Sequence, residues 1–470
     1  MSRRATIGAA ALATLVAGCA AFPETGRNVQ IQRTAHGIAH IEAPDYESLA
    51  YGIAYAHAQD NVCQTANELV TIRGERSRYF GGDGRALLGL RVLPNGQIDL
   101  FVRSHMDDAA LAAAFGKASP DTRAVSRGYV QGYNRFLRDH RDSLPAQCGG
   151  KPWMQPMTLA EYLRLQELTM IQLGVARFAD AIVDASPPGE DEAAASPPAL
   201  PDAVAALERF RLREPLLGSN GWAFGSEVTQ NGRGVLLGNP HFPWSGVNRF
   251  WEMHLTIPGT LDVMGAAIGH SPVVQIGFNR DIAWTHTVST GKRFTLFELE
   301  LAPDDPRSYV LDGKVVPMTA QRVHYEVVNA QGLVQKREHT IWQTRFGPVL
   351  EVPQAGLAWT RTRAFALKDA NTLNLRAIDI WLGLNRDRSV GEMRATLAKL
   401  GVPWVNTIAA DRDGRAMYAD VSVVPDVDAA QLQPFGRGKG REPASGGNGL
   451  EDRRSGGDFD AAGGIGGTED

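Results

Sequence analysis

Gly218-Ser219-Asn220-Gly221-Trp222 opens the stretch that decides how this chain is read, and Gly238-Asn239-Pro240-His241-Phe242-Pro243-Trp244 closes it. The Gly218–Ser219 bond follows an apolar pair, Leu216-Leu217, and precedes the alternating run Trp222-Ala223-Phe224. Two readings of Gly-Ser-Asn-Gly compete. One is a turn, the usual fate of such a run. The other is a self-cleavage point. Glycine frees the backbone to strain there, the Ser219 hydroxyl attacks the preceding carbonyl, and Ser219 becomes a new N-terminus. Its α-amine, with an ordinary pKa of about 8, then serves as a built-in general base.

Downstream of Ser219 the pattern is that of strands: Trp222 to Phe224, Val235 to Leu237, Phe250 to Thr256, Val273 to Ile276 and Ile282 to Thr287. Gly and Asn-Arg-Asp turns separate them, so residues 219–433 read as a sheet-rich domain. Val405 to Val424 reads as strand–turn–strand around Asp411-Arg412-Asp413-Gly414, whose aspartates are turn residues. Thr360 to Trp381 and Ser389 to Leu400 add mixed elements.

Upstream, Val29 to Thr34 and His36 to Ile41 alternate as strands do, and Asp45 then caps a helix that runs to Asp60. Residues 105–185 are mostly helical, with Val125, Tyr129, Tyr133 and Phe136 at helical spacing. A capping box, Thr158-Leu159-Ala160-Glu161, opens another helix. Residues 20–183 thus form a largely helical region. Residues 184–218 form a linker, because the run 184–203 is rich in Pro, Ala and acid and poor in packable side chains. His36, His40 and His57 lack any zinc spacing and read as packing and hydrogen-bonding residues.

The first 19 residues carry Arg3-Arg4 and an apolar stretch, which makes a secretory signal. It ends Leu15-Val16-Ala17-Gly18-Cys19, which resembles a bacterial lipoprotein cleavage box. The expected product is periplasmic and tethered by lipid on Cys19; the alternative is an ordinary cut near Ala20-Ala21. No internal apolar run spans a bilayer, so a lipid is the expected membrane contact. A net charge of −4 without a basic cluster excludes a nucleic-acid surface. In an exported protein Cys63 and Cys148 are a disulfide by default, or else two buried thiols.

Three runs together resemble the penicillin acylase family of N-terminal-nucleophile hydrolases. They are Gly218 to Trp222, Gly238 to Trp244, and Gly277-Phe278-Asn279-Arg280-Asp281-Ile282-Ala283-Trp284-Thr285-His286-Thr287. Tyr51 to Asp60 matches a signature of the family's N-terminal chain, and His241 resembles the aculeacin and acyl-homoserine-lactone acylase branch. The resemblance covers about residues 29–430. It implies an α+β fold, a four-layer αββα sandwich with Ser219 on a central strand and N-terminal helices over the acyl pocket. It implies cleavage between Gly218 and Ser219, excision of a spacer, and self-association of the two processed chains. It assigns Ser219 as nucleophile, the Val288 backbone N–H as oxyanion donor, and His241 to orient the amine and hydroxyl. Phe242 and Trp404 fall where the family lines its acyl pocket. Similar acylases have cysteines at both Cys63 and Cys148, which favours the bridge. The implied substrate is a small-molecule N-acyl amide of the acyl-homoserine-lactone, lipopeptide or penicillin type, and no cofactor is needed. Ser289 to Arg293, where similar penicillin G acylases bind calcium, lacks clustered carboxylates, so no metal is expected.

The family's side-chain oxyanion donor, an asparagine followed by an arginine, comes from a later segment; Asn406 belongs to a different, earlier motif. After about Pro434 the chain turns glycine-rich and charged, and residues 434–470 read as a disordered tail. The family's second half is therefore expected to be missing, through a frameshift or premature end, and the chain as written to have little activity. The rival reading is a catalytically dead lipoprotein fragment that at most binds acyl compounds. A Ser-His-Asp esterase lacks its Gly-x-Ser-x-Gly elbow here.

Overall fold

The computed structural model describes residues 27–189 and 218–426, with short strand segments at 432–433, 437–439 and 459–460. The expected signal with Cys19, most of the expected linker and most of the glycine-rich stretch lie outside the described residues. The chain is α+β, as its sequence implies.

The longest helix, Tyr46–Arg73, starts where Asp45 accepts the Ser48 N–H at 2.7 Å and stops at Gly74, whose φ of 63° suits glycine. The helix Pro120–Asp139 packs on it backbone to backbone. A Cβ on Gly128 or Gly132 would fall 2.0 Å from the carbonyl oxygens of Glu47 and Tyr51. The aromatic stripe of that second helix, Tyr129, Tyr133 and Phe136, is buried core. The helix Leu159–Ile171 opens with the capping box that the sequence shows, Thr158 and Glu161 each serving the other's backbone. Cys63 and Cys148 are joined as a disulfide.

These helices lie on one face of the main sheet. Its strands run in the order Gln30–Arg33, Ala39–Glu42, Trp251–Ile257, Leu261–Ala267, Ile276–Asn279, Ile282–Val288, Val405–Asp411, Ala416–Ala419, with Phe459–Asp460 at the edge. Ala39–Glu42 runs parallel to Trp251–Ile257, so the sheet joins segments on either side of Ser219. Register puts Ala39, Met253, Gly265, Gly277, Trp284 and Ala409 in one row across it. Ala39, Met253, Trp284 and Ala409 are all buried, which marks the helix side. The alternate row, His40, His254, Met264, Phe278, Ala283 and Ala410, faces the other way. There the covering layer among the described residues is a hairpin, Gly218–Phe224 paired with Val235–His241. A second sheet follows the path Lys314–Pro317, Asp305–Leu311, Phe294–Ala302, Arg363–Asp369, Gly347–Leu350, Val334–Thr344, Thr319–Val328.

Further contacts tie the segments before and after Ser219. Glu167 accepts the Leu373 N–H on both carboxylate oxygens at 3.0 Å, and Asp369 accepts the Val175 N–H at 2.7 Å. Burial lifts the Glu167 carboxyl to about 8 and Asp369 to about 6. The Asp411 turn is as the sequence indicates: its side chain accepts the Asp413 and Arg415 N–H groups. His40 contacts His254 at 2.8 Å, and His57 packs on Trp251 and His270. Among the described residues no group of three or more His, Cys, Asp or Glu could hold a metal.

Candidate active site

The hairpin's position follows from small residues. Gly221 and Gly238 stand opposite each other on its inner face. A Cβ on Gly221 would lie 2.9 Å from Ile408 Cδ1, and one on Gly238 would lie 2.8 Å from Thr285 Oγ1. Bare backbone at both positions lets the hairpin settle on the strands Ile282–Val288 and Val405–Asp411. Ser219 and Pro240, the next pair along, share that inner face.

Ser219 is half-buried and opens on a pocket at the end of the sheet. Its hydroxyl donates to the Gly218 carbonyl oxygen at 2.5 Å, beside the peptide bond that self-attack requires. The pocket wall is apolar: Phe242, Phe250, Ile268, Ile276, Trp381, Pro403, Trp404 and Val405 contribute to it. Phe242 and Trp404 stack with centroids 6.1 Å apart and planes 8° from parallel. The Trp404 indole N–H is satisfied by the Thr169 carbonyl at 3.1 Å, so an N-terminal helix fixes this wall.

Val288 also lines the pocket. The Ser289 N–H donates to the Trp404 carbonyl at 3.0 Å. Alternation along an antiparallel ladder then turns the Val288 N–H away from that neighbour. The strand on the other side, Ile276–Asn279, pairs only with Ala283 and Trp284. Among the described residues the Val288 N–H has no ladder partner, and Val288 lines the pocket that Ser219 lines.

His241 is placed differently. It stands opposite Gly218, on the outer face of the hairpin, and is exposed. It lines a second groove, with Leu87, Leu90, Asn239, Trp244 and Asn248. Pro240 and Phe242 line both spaces and form the wall between them. The structure thus brings Ser219, Val288, Phe242 and Trp404 to one pocket, and sets His241 beside the peptide bond that precedes Ser219.

His286 is a pocket residue that sequence reasoning passed over. It is buried, and burial pushes its imidazole down to about 4, so the ring is neutral. The Trp381 indole N–H donates to its Nε2 at 3.0 Å, leaving Nδ1–H to donate to the Asn406 carbonyl at 3.0 Å. Trp381, 95 residues downstream, together with burial makes this histidine a wall and not a base. The signal that could have found it is its place in Trp284-Thr285-His286-Thr287, next to Val288.

The chain is 43% identical over 428 residues to an acyl-homoserine lactone acylase PvdQ of Pseudomonas putida, which covers 90% of this chain and 54% of that protein. It is 41% identical over 405 residues to the aculeacin-A acylase of Actinoplanes utahensis, covering 85% of this chain and 50% of that one. The chain therefore spans about half the length of these curated relatives. A solved penicillin G acylase from Alcaligenes faecalis aligns with a TM-score of 0.40 at 23% identity, over 47% of this chain and 38% of that one. The penicillin amidase family model matches residues 28–460, and this chain belongs to that family.

Proposed function

We propose that this chain is the precursor form of an amidohydrolase that deacylates N-acyl compounds and takes Ser219 as nucleophile after cutting its own Gly218–Ser219 bond. The observation that carries this reading is Ser219 itself. A half-buried serine hydroxyl lies 2.5 Å from the preceding carbonyl oxygen and opens on an apolar pocket.

In the first step Ser219 Oγ bonds to the Gly218 carbonyl carbon and its proton passes to the amide nitrogen. The C–N bond breaks, leaving an ester and a free α-amine. Water then hydrolyses the ester and leaves Gly218 as a carboxylate. The two chains stay together through the shared sheet and the Glu167 and Asp369 contacts. In turnover the α-amine takes the Oγ proton, and Oγ attacks the acyl carbonyl carbon. The Val288 N–H faces the oxygen that gains charge, and the departing amine takes the proton back. Water frees the acid. The apolar wall around Phe242 and Trp404 suits an aliphatic or aromatic acyl group. Export and a lipid on Cys19 belong to the same proposal; they rest on the Leu15 to Cys19 run.

A second reading has its own observation. Large apolar side chains on the hairpin side of the fold, Phe278 and Trp222 among them, stand in water. A chain incomplete on that side would bind acyl compounds without turning them over. One assay separates the two: hydrolysis of a chromogenic long-chain N-acyl amide by the full chain and by Ser219→Ala. Slow release of the amine by the first only, in keeping with the little activity expected of the chain as written, is the expected outcome. No release by either, with the acyl amide still bound, favours the binding protein.

A further inference from the structure

Asn239 and His241 occupy alternate positions on one strand, and so share one face of the hairpin. Opposite them on that face stand Asn220 and Gly218. Asn239 Nδ2 lies 3.0 Å from His241 Nε2. On the other side of the ring, a Cβ built on Gly218 would lie 3.5 Å from His241 Nδ1. The imidazole is therefore bracketed, with an amide nitrogen on one ring nitrogen and the residue before Ser219 on the other.

An amide NH2 can only donate. Against Asn239, His241 Nε2 must accept, and the neutral ring then carries its proton on Nδ1. We propose that Asn239 is a positioning residue: it fixes His241 as the Nδ1–H tautomer and so presents a proton donor, not a base, to the Gly218 side of the bond. This rests on the reading that Gly218–Ser219 is the bond cut.

The assignment divides the work between the two faces of the hairpin. Ser219 reacts from the inner face, with Pro240 beside it, and its hydroxyl proton leaves toward the amide nitrogen. His241 stays on the outer face. When Oγ bonds to the carbonyl carbon, the carbonyl electron pair moves onto the Gly218 oxygen, and an Nδ1–H on the Gly218 side can turn to that oxygen and stabilise it without itself giving up a proton. A ring with a bare Nδ1 would present a lone pair to the growing negative charge instead. A carboxylate at position 239 can only accept, so Asn239→Asp should invert the tautomer while changing the side chain's size very little.

The test uses the full chain with 15N-labelled histidine, held uncut by Ser219→Ala, at pH 8.5 where a free imidazole is neutral. His241 is identified by its loss in His241→Gln. Nitrogen shifts should show a protonated Nδ1 and a bare Nε2, and Asn239→Asp in the same background should exchange them. Identical tautomers in the two chains, or a protonated Nε2 with Asn239 present, would overturn the proposal. With Ser219 restored, Asn239→Asp should slow cleavage by about 10²-fold, the lower end of what one oxyanion hydrogen-bond donor supplies. Equal cleavage rates would also overturn it. A parent chain that never cleaves would sink the autoprocessing reading, while the nitrogen shifts of the uncut chain still decide the role of Asn239.

Discussion

The two faces of the Ser219 hairpin follow opposite rules. The inner face carries Ser219, Gly221, Ala223, Leu236, Gly238 and Pro240, mostly small, and lies against the main sheet. The outer face carries Trp222 opposite Leu237 and Phe224 opposite Val235, each between 42% and 50% exposed. Simple alternation would bury the large side chains. Here close approach to Thr285 and Ile408 sets the inner face, and bulk is excluded from it. The same asymmetry runs through the main sheet. The row that holds Met253 and Trp284 is buried under helices, whereas Phe278 in the alternate row is 51% exposed. The helix side is finished by packing. The hairpin side is fixed by glycine contacts around one serine.

The strongest way to break this contrast is to add bulk on the inner face. Gly221→Val would drive its side chain into Ile408 and Thr285, and overpacking of that kind costs about 1–3 kcal/mol. A lowered thermal midpoint, with slower cleavage at Gly218–Ser219, is the expected result. An unchanged midpoint would mean the hairpin is not seated as described.

A second comparison uses pH, which reads the helix side. Burial lifts Glu167 to about 8, from 4.5 when free. The folded chain therefore keeps a proton on Glu167 that the unfolded chain has released. Its contribution is full below about pH 4.5 and is lost as pH rises to about 8. Buried His57, His105 and His286 work in the other direction. Burial pushes each down to about 4, so their contribution is lost as pH falls from 6.5 to about 4. Stability should peak between these limbs. Glu68, lifted to about 7, and Asp369 and Asp387, lifted to about 6, share the lower part of the alkaline limb. Glu167→Gln should therefore flatten it mainly between about pH 7 and 8 and leave the acid limb in place, as followed by thermal midpoint from pH 5 to 9. An alkaline limb of unchanged slope would exclude Glu167 as its source.

The smallest effect belongs to the outer face. Trp222→Ser should change the thermal midpoint by no more than about 0.5 kcal/mol equivalent, the usual range for surface positions. A loss near that of Gly221→Val would show that the outer face is covered after all.

Much of this architecture was legible in the residues. Asp45, the Thr158–Glu161 box and the Asp411 turn are local signals, and each shapes its own few residues. The strands Ile282–Val288 and Val405–Asp411 were legible for the same reason, with turns marking their ends. The parallel pairing of Ala39–Glu42 with Trp251–Ile257 was not, because its partners lie far apart in the chain and leave no local trace. Most strands of the second sheet were also missed. Its strand Phe294–Ala302 does alternate, with Phe297, Leu299 and Leu301 buried and Glu300 exposed, so that local signal was present and went unread. In the site, Phe242 and Trp404 entered through the family's pattern, and the structure stacks them in the Ser219 pocket. That Ser219 and His241 stand on opposite faces of one hairpin depends on register, which needs the partner strand to be known.

The central claim is that Ser219 is freed by its own attack on Gly218. The most direct measurement is intact mass with N-terminal sequencing of the purified full chain beside Ser219→Ala. Two chains, the second beginning Ser-Asn-Gly-Trp, with one unbroken chain for the variant, is the predicted result. A parent chain that stays whole, or a variant that splits at the same bond, would contradict the account.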